Sequence, residues 1–158
     1  MKDLRRNLLA GSLLCLLALP AVVSAGQSNS LMDISADGEL LACSNRDSGT
    51  VTIVDLARHE VLREVAVGKK PEGVTFLGPT HSLAIAVYAE DKVVILDGDS
   101  GKLQGQIDVF DEPYGVVSSS DGKRLFVTLD FPGQLLEIDV ASAEVARVLT
   151  VGPFLRGV

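Results

Sequence analysis

Two sets of residues are this chain's candidates for chemistry, and their spacing singles them out. Arg46, Tyr88 and Asp130 follow one another at 42-residue steps, and so do Glu72, Tyr114 and Arg156. Cations, carboxylates and phenols recurring at one interval are the mixture of charge and aromatic surface from which a ligand-binding rim is built. Each sits in a segment whose other positions repeat, so the place is kept while the chemistry changes. Binding is the expected role, because the usual catalytic arrangements are missing from the sequence. There is no Ser-His-Asp order, no glycine-rich phosphate loop and no CxxCH attachment motif. The neighbours Glu90-Asp91 and Asp111-Glu112 fall on loops. Acid–base work needs burial and a convergent partner, which adjacency does not supply. His59 and His81 occupy different places in the repeat, without an acidic or cysteine partner at metal-ligand spacing, so no metal site is expected. Cys43, between Ala42 and Ser44, reads as a small buried thiol and not a nucleophile.

The frame around these candidates is an ungapped internal repeat. Sliding the chain by 42 residues brings Val116 onto Val74 and then Met32. The same shift superposes Asp55, Asp97 and Asp139; Gly73, Gly115 and Gly157; and Val67, Val109 and Val151. A fixed period of this length points to a repeat architecture. Each unit divides into four short strands. The first is expected at residues 73–76 and 115–118. The second, at 40–44, 83–88 and 125–129, is apolar nearly throughout, as a strand buried on both faces would be. The third, at 51–54, 93–96 and 135–138, ends at Asp55, Asp97 or Asp139, where a turn-capping carboxylate is expected. The fourth alternates: Val61, Val65 and Val67 in the first unit, Leu103, Ile107 and Val109 in the second, Val145, Leu149 and Val151 in the third. Period-two alternation describes a sheet edge with one buried and one wetter face. Buried inner strands grading to an amphipathic outer one predict an all-β fold, a β-propeller of four-stranded blades. Three blades are expected, at about 32–73, 74–115 and 116–157, which is an incomplete ring. In that fold the six candidates crowd one mouth of the central channel.

Gly122-Lys123-Arg124-Leu125-Phe126-Val127-Thr128, preceded by Ser120-Asp121 and followed by Leu135-Leu136-Glu137-Ile138-Asp139, resembles the YVTN-type propeller repeat. Pro71-Glu72-Gly73 and Pro113-Tyr114-Gly115 are similar to the P-x-G element of that repeat. The likeness spans residues 31–158, with Leu129 standing where the motif has Asn and the second unit lacking Asp-Gly. The absence of Trp sets aside WD repeats and Trp-docked blades. Three functions follow from the resemblance. The leading one is a non-enzymatic binding or scaffold module, with a small molecule or a protein at the channel-mouth loops and no cofactor. One alternative is a haem d1-type propeller, for which Arg46, Tyr88, Tyr114 and Arg156 are the available groups. The other is a lactonase-like hydrolase with Glu72 as its base.

The first 25 residues read as a signal peptide. Lys2, Arg5 and Arg6 precede an apolar run, and Val23-Ser24-Ala25 supplies the small residues of a cleavage site before Gly26. The run is shorter than the ~20 residues of a comfortable membrane span, and Cys15, set between leucines, does not suit lipidation. The expected product, residues 26–158, is exported to the periplasm or cell surface. The full chain carries a net charge of −7, and losing its basic leader makes it more acidic. Such a surface repels phosphate, so neither nucleic acid nor anionic membrane is an expected partner. Cys43 alone remains, so no intrachain disulfide forms. Three blades in an open arc leave an apolar face at each side, which predicts either a longer protein or self-association.

Overall fold

The computed structural model describes residues 28–156. The expected signal peptide, Cys15, Gly157 and Val158 lie outside the described residues. Among the described residues, twelve strands form three four-stranded antiparallel sheets, each a meander in chain order. The first sheet holds β1 (Asn29–Ile34), β2 (Leu40–Asn45), β3 (Thr50–Asp55) and β4 (Glu60–Ala66). The second holds β5 (Pro71–Phe76), β6 (Ser82–Val87), β7 (Lys92–Asp97) and β8 (Leu103–Asp108). The third holds β9 (Pro113–Ser118), β10 (Arg124–Leu129), β11 (Gln134–Asp139) and β12 (Glu144–Thr150). The first strands β1, β5 and β9 lie side by side, so the sheets radiate from them as blades from an axis. This is the expected propeller arc, and the one helical piece among the described residues is the 3-10 turn Tyr88–Glu90.

Local chemistry at the turns repeats with the sequence. Asp55, Asp97 and Asp139 close β3, β7 and β11, and each Oδ1 accepts from the amide three residues on, at 2.8, 2.7 and 2.9 Å. The capping role expected for these carboxylates is what the structure shows. The next corner needs a left-handed residue, and His59, Gly101 and Ala143 supply it with φ near 57, 73 and 58°.

The core lies between blades. Leu40, Ile53, Leu83 and Ile85 pack where the first blade meets the second, and Ala86, Leu125, Leu136 and Ile138 where the second meets the third. The second strands are buried along most of their length in every blade, as their apolar runs imply, and the central inner strand β5 is buried throughout. Each fully buried Leu or Ile contributes about 1.5–3 kcal/mol. Cys43 is buried in β2, where desolvation raises its thiol pKa, consistent with an inert thiol.

Two expectations need correction. The inner strands start at Pro71 and Pro113, ahead of the expected 73 and 115, because prolines open a strand without forfeiting a ladder donor. Glu72 and Tyr114 therefore stand on strands and not on loops. The outer strands are also wetter than their alternation implied. Ile107 is buried on β8, yet Leu149 on β12 is exposed, because among the described residues no sheet packs against the third blade's far side.

Candidate binding site at the axial mouth

Each inner strand carries a bulge at the same point. Its register with the second strand slips between Asn29 and Met32, between Pro71 and Val74, and opposite Val127 and Leu129 for Pro113 and Val116. A bulge re-aims side chains and leaves ladder groups without their usual partners. Here the freed amides of Leu31 and Gly115 donate to the hydroxyls of Ser44 and Thr128 at 3.1 and 2.8 Å. The re-aimed residues are Ser30, Glu72 and Tyr114.

The second group sits just past the second strands. The amides of Arg46, Tyr88 and Asp130 donate to the carbonyls of Ser28, Lys70 and Glu112 at 2.9, 3.1 and 3.0 Å. Those three acceptor residues all have left-handed backbones, with φ of 60, 53 and 47°. The backbone thus delivers all six candidates to one place whatever their side chains are, and all six line a single pocket of about 230 Å³.

Inside it the residues form three rungs, each linking the residue after a second strand to the residue 26 positions later, which lies on the next inner strand for Glu72 and Tyr114 and past β12 for Arg156. Arg46 donates through Nε to Glu72 Oε1. Tyr88 meets Tyr114 edge to face, with centroids 6.3 Å apart. Arg156 donates through Nε and Nη2 to Asp130 Oδ2 at 3.1 and 2.9 Å. Arg156 also lies over the Tyr114 ring at 5.3 Å, which ties the second rung to the third by a cation–π contact. Two cations and two carboxylates balance, so the pocket is polar without a dominant sign.

Burial sharpens the picture. Glu72 is buried, and its second oxygen accepts from Ser30. Asp130 is 5% exposed, and its Oδ1 has no partner among the described residues. Burial pushes the Tyr88 phenol up to about 12, with hydrogen bonding to Glu112 adding to the shift. The pKa values of both guanidinium groups are raised by their carboxylate partners, Glu72 for Arg46 and Asp130 for Arg156.

Ser30 is a pocket residue that the sequence reading missed. It lies 42 residues before Glu72, so one more backward step of the repeat would have found it. Ser28 and Asn29 also line the pocket, and no signal in their types marks them. Glu112 reaches Tyr88 only through the fold.

His81 also needs correction. Its Nε2 is 2.8 Å from Asp37 and its Nδ1 is 2.8 Å from Asp99, so it has the acidic partners that its sequence neighbours do not supply. Asp37, Glu39 and His81 present ligand atoms within 4.8 Å of one another. Asp37 and Glu39 come from the β1–β2 turn of the first blade, and His81 from the β5–β6 turn of the second. His59 has the turn position expected of it.

No protein-family model matches the chain, and a search of curated proteins finds no similar sequence. Among solved structures, hydrazine synthase from Kuenenia stuttgartiensis is similar, with 27% identity and a TM-score of 0.78. The match covers 87% of this chain and 40% of that one. With its three radiating sheets, the chain has a β-propeller fold.

Proposed function

We propose that this chain is an exported YVTN-type propeller segment that works as a binding module, taking a small polar ligand at the axial mouth. The observation that carries the reading is Asp130. A buried carboxylate oxygen without a partner costs about 1–3 kcal/mol, and a ligand donor placed against it recovers that cost. Around that oxygen, the edge-to-face tyrosines offer a flat apolar wall, and Arg46 offers the donors not given to Glu72.

The alternatives fit the residues less well. A lactonase-like reaction needs Glu72 as a free base, but its two oxygens already accept from Arg46 and Ser30. A haem d1-type group needs more room than about 230 Å³, since drug-sized ligands already fill ~300–1,000 Å³. Neither histidine lines the pocket. The reading also treats the arc as part of a larger assembly, either a longer chain or several copies. Met32 is 62% exposed where its repeat counterpart Val74 is 5% exposed, and Ile34 is 54% exposed where Phe76 is 4% exposed. Light scattering on the purified chain separates the two.

The test is a thermal-shift screen of the full chain against small polar solutes. Stabilising compounds should carry hydrogen-bond donors and lose their effect on Asp130→Asn. Compounds that stabilise Asp130→Asn and Arg156→Gln as well as the parent would place binding elsewhere. Turnover of a substrate, abolished by substituting Tyr114 or Arg156, would make the chain an enzyme and overturn the reading.

A further inference from the structure

A second pocket opens away from the axis, in the groove between the second and third blades. It has a volume of about 440 Å³, and Leu77, Ile95, Ile107 and Val140 supply its apolar wall. Its origin is a single position on the outer strand. The residue opposite Ile53 on β4 is Arg63, and the residue opposite Ile95 on β8 is Gly105, 42 positions later.

The first groove shows what normally occupies this place. Arg63 reaches across to the second blade, where a Cβ placed on Gly101 would stand 3.2 Å from its Cδ and 3.6 Å from its Nη1. The counterpart of Gly101 in the third blade is Ala143, and Ala143 lines the second pocket. The two grooves therefore share their walls, and the second lacks the side chain that fills the first. A Cβ built on Gly105 meets nothing within 4 Å.

Charge follows the same substitution. Asp97 is held below the usual carboxylate range first by the Ser100 amide and hydroxyl, with Arg63 adding a coulombic contribution. Its counterpart Asp139 is lowered by Ser142 and the Ala141 amide, with no cation contributing. Among the described residues no arginine or lysine forms an ion pair with either aspartate, so the difference between them is the longer-range field of Arg63. Asp121 is the carboxylate that lines the pocket itself.

We propose that this groove binds an arginine side chain presented by a partner polypeptide. The aliphatic stem lies on Ile95, Ile107 and Val140, and the guanidinium takes the place beside Ala143 that Arg63 takes beside Gly101. The occupant is defined by the molecule's own first groove: a planar cation on an aliphatic stem, laid against the Gly101 turn. Arginine suits this better than lysine because its weakly hydrated, planar head tolerates partial burial.

The test uses the full chain and N-acetyl-arginine-N-methylamide as the probe, with amide chemical shifts as readout. Saturable shifts are expected at Gln104, Gly105, Gln106 and Ala143. The citrulline analogue, equal in shape and uncharged, should bind at least about tenfold more weakly, the worth of a charge-assisted hydrogen bond. Gly105→Arg should abolish the response by filling the groove from within, and its site on an exposed outer strand leaves the fold room to accept it. Asp121→Asn, which keeps an oxygen for its turn and removes the charge from the pocket lining, should weaken binding by a similar factor. Equal binding of citrulline, an undiminished response in Gly105→Arg, or no saturable shift would overturn the proposal. Tighter binding of free arginine than of the capped residue would overturn the polypeptide source.

Discussion

Replacing Arg46 by Met tests whether the axial rungs are structural couplings or incidental surface pairs. The Glu72 side chain is 3% exposed, and among the described residues Arg46 Nε is its only cationic partner. Breaking a buried pair by removing one partner costs about 3–5 kcal/mol, because the other charge stays behind. Two features lower the figure here. Ser30 still donates to Glu72, and Arg46 is 38% exposed, so solvent already screens part of the attraction. About 2–3 kcal/mol is expected for Arg46→Met, which retains the apolar stem. For a domain of this size that is a fall in Tm of roughly 6–10 °C. Glu72→Gln keeps the shape and loses the charge, so it should cost less, about 1–2 kcal/mol. Urea unfolding of both single variants and the double variant gives the coupling, which should exceed about 1 kcal/mol for groups in direct contact. A cost below about 0.5 kcal/mol for Arg46→Met, with additive behaviour in the double variant, would refute the reasoning. The pair would then be an ordinary surface ion pair.

Gly73→Ala should be among the most damaging single-methyl changes. The added Cβ would stand 2.5 Å from the Tyr114 carbonyl oxygen and 2.8 Å from the Val116 amide, backbone atoms of the next inner strand that cannot swing aside. A loss of more than about 2 kcal/mol is expected by urea unfolding, in the range of overpacking costs. Leu125→Ala, at a fully buried position between the second and third blades, should cost about 2–5 kcal/mol in the same assay. His81 sets a pH dependence. Hydrogen bonds to Asp99 and then to Asp37 raise its folded pKa above 6.5, so its stabilisation is complete below that value and fades as pH climbs through the raised one. Tm should fall as pH rises through that window, and His81→Gln should flatten the curve. An unchanged slope in that variant would remove His81 as the cause.

What was legible in the sequence was whatever the repeat writes in every unit. Asp55, Asp97 and Asp139 recur with their turns because the corner they cap is identical in each blade. The pocket residues were legible for the opposite reason: Glu72, Tyr114 and Arg156 vary where their neighbours do not. Two kinds of fact lay out of reach. The bulges that turn Ser30, Glu72 and Tyr114 toward the axis leave no signature in residue type, so Glu72 and Tyr114 read as loop residues. Contacts between blades were also hidden where they break the 42-residue step. His81 meets Asp37 and Asp99 at separations of 44 and 18, intervals that no repeat comparison samples.

The rungs also bear on why the axial mouth is a candidate site and not only a structural seam. Were stability the sole demand, one good pair repeated in each blade would suffice. Instead an arginine–glutamate pair, two phenols and an aspartate–arginine pair of reversed polarity occupy equivalent places. The backbone permits this freely, because the Ser28, Lys70 and Glu112 carbonyls fix the geometry without reference to the side chains. The chemistry of each rung is thus uncoupled from the folding of its blade. The same uncoupling operates at the outer groove, where Arg63 gives way to Gly105 on an intact strand. In both places the scaffold holds the position constant, and the variation it tolerates is where a binding surface has room to be specific.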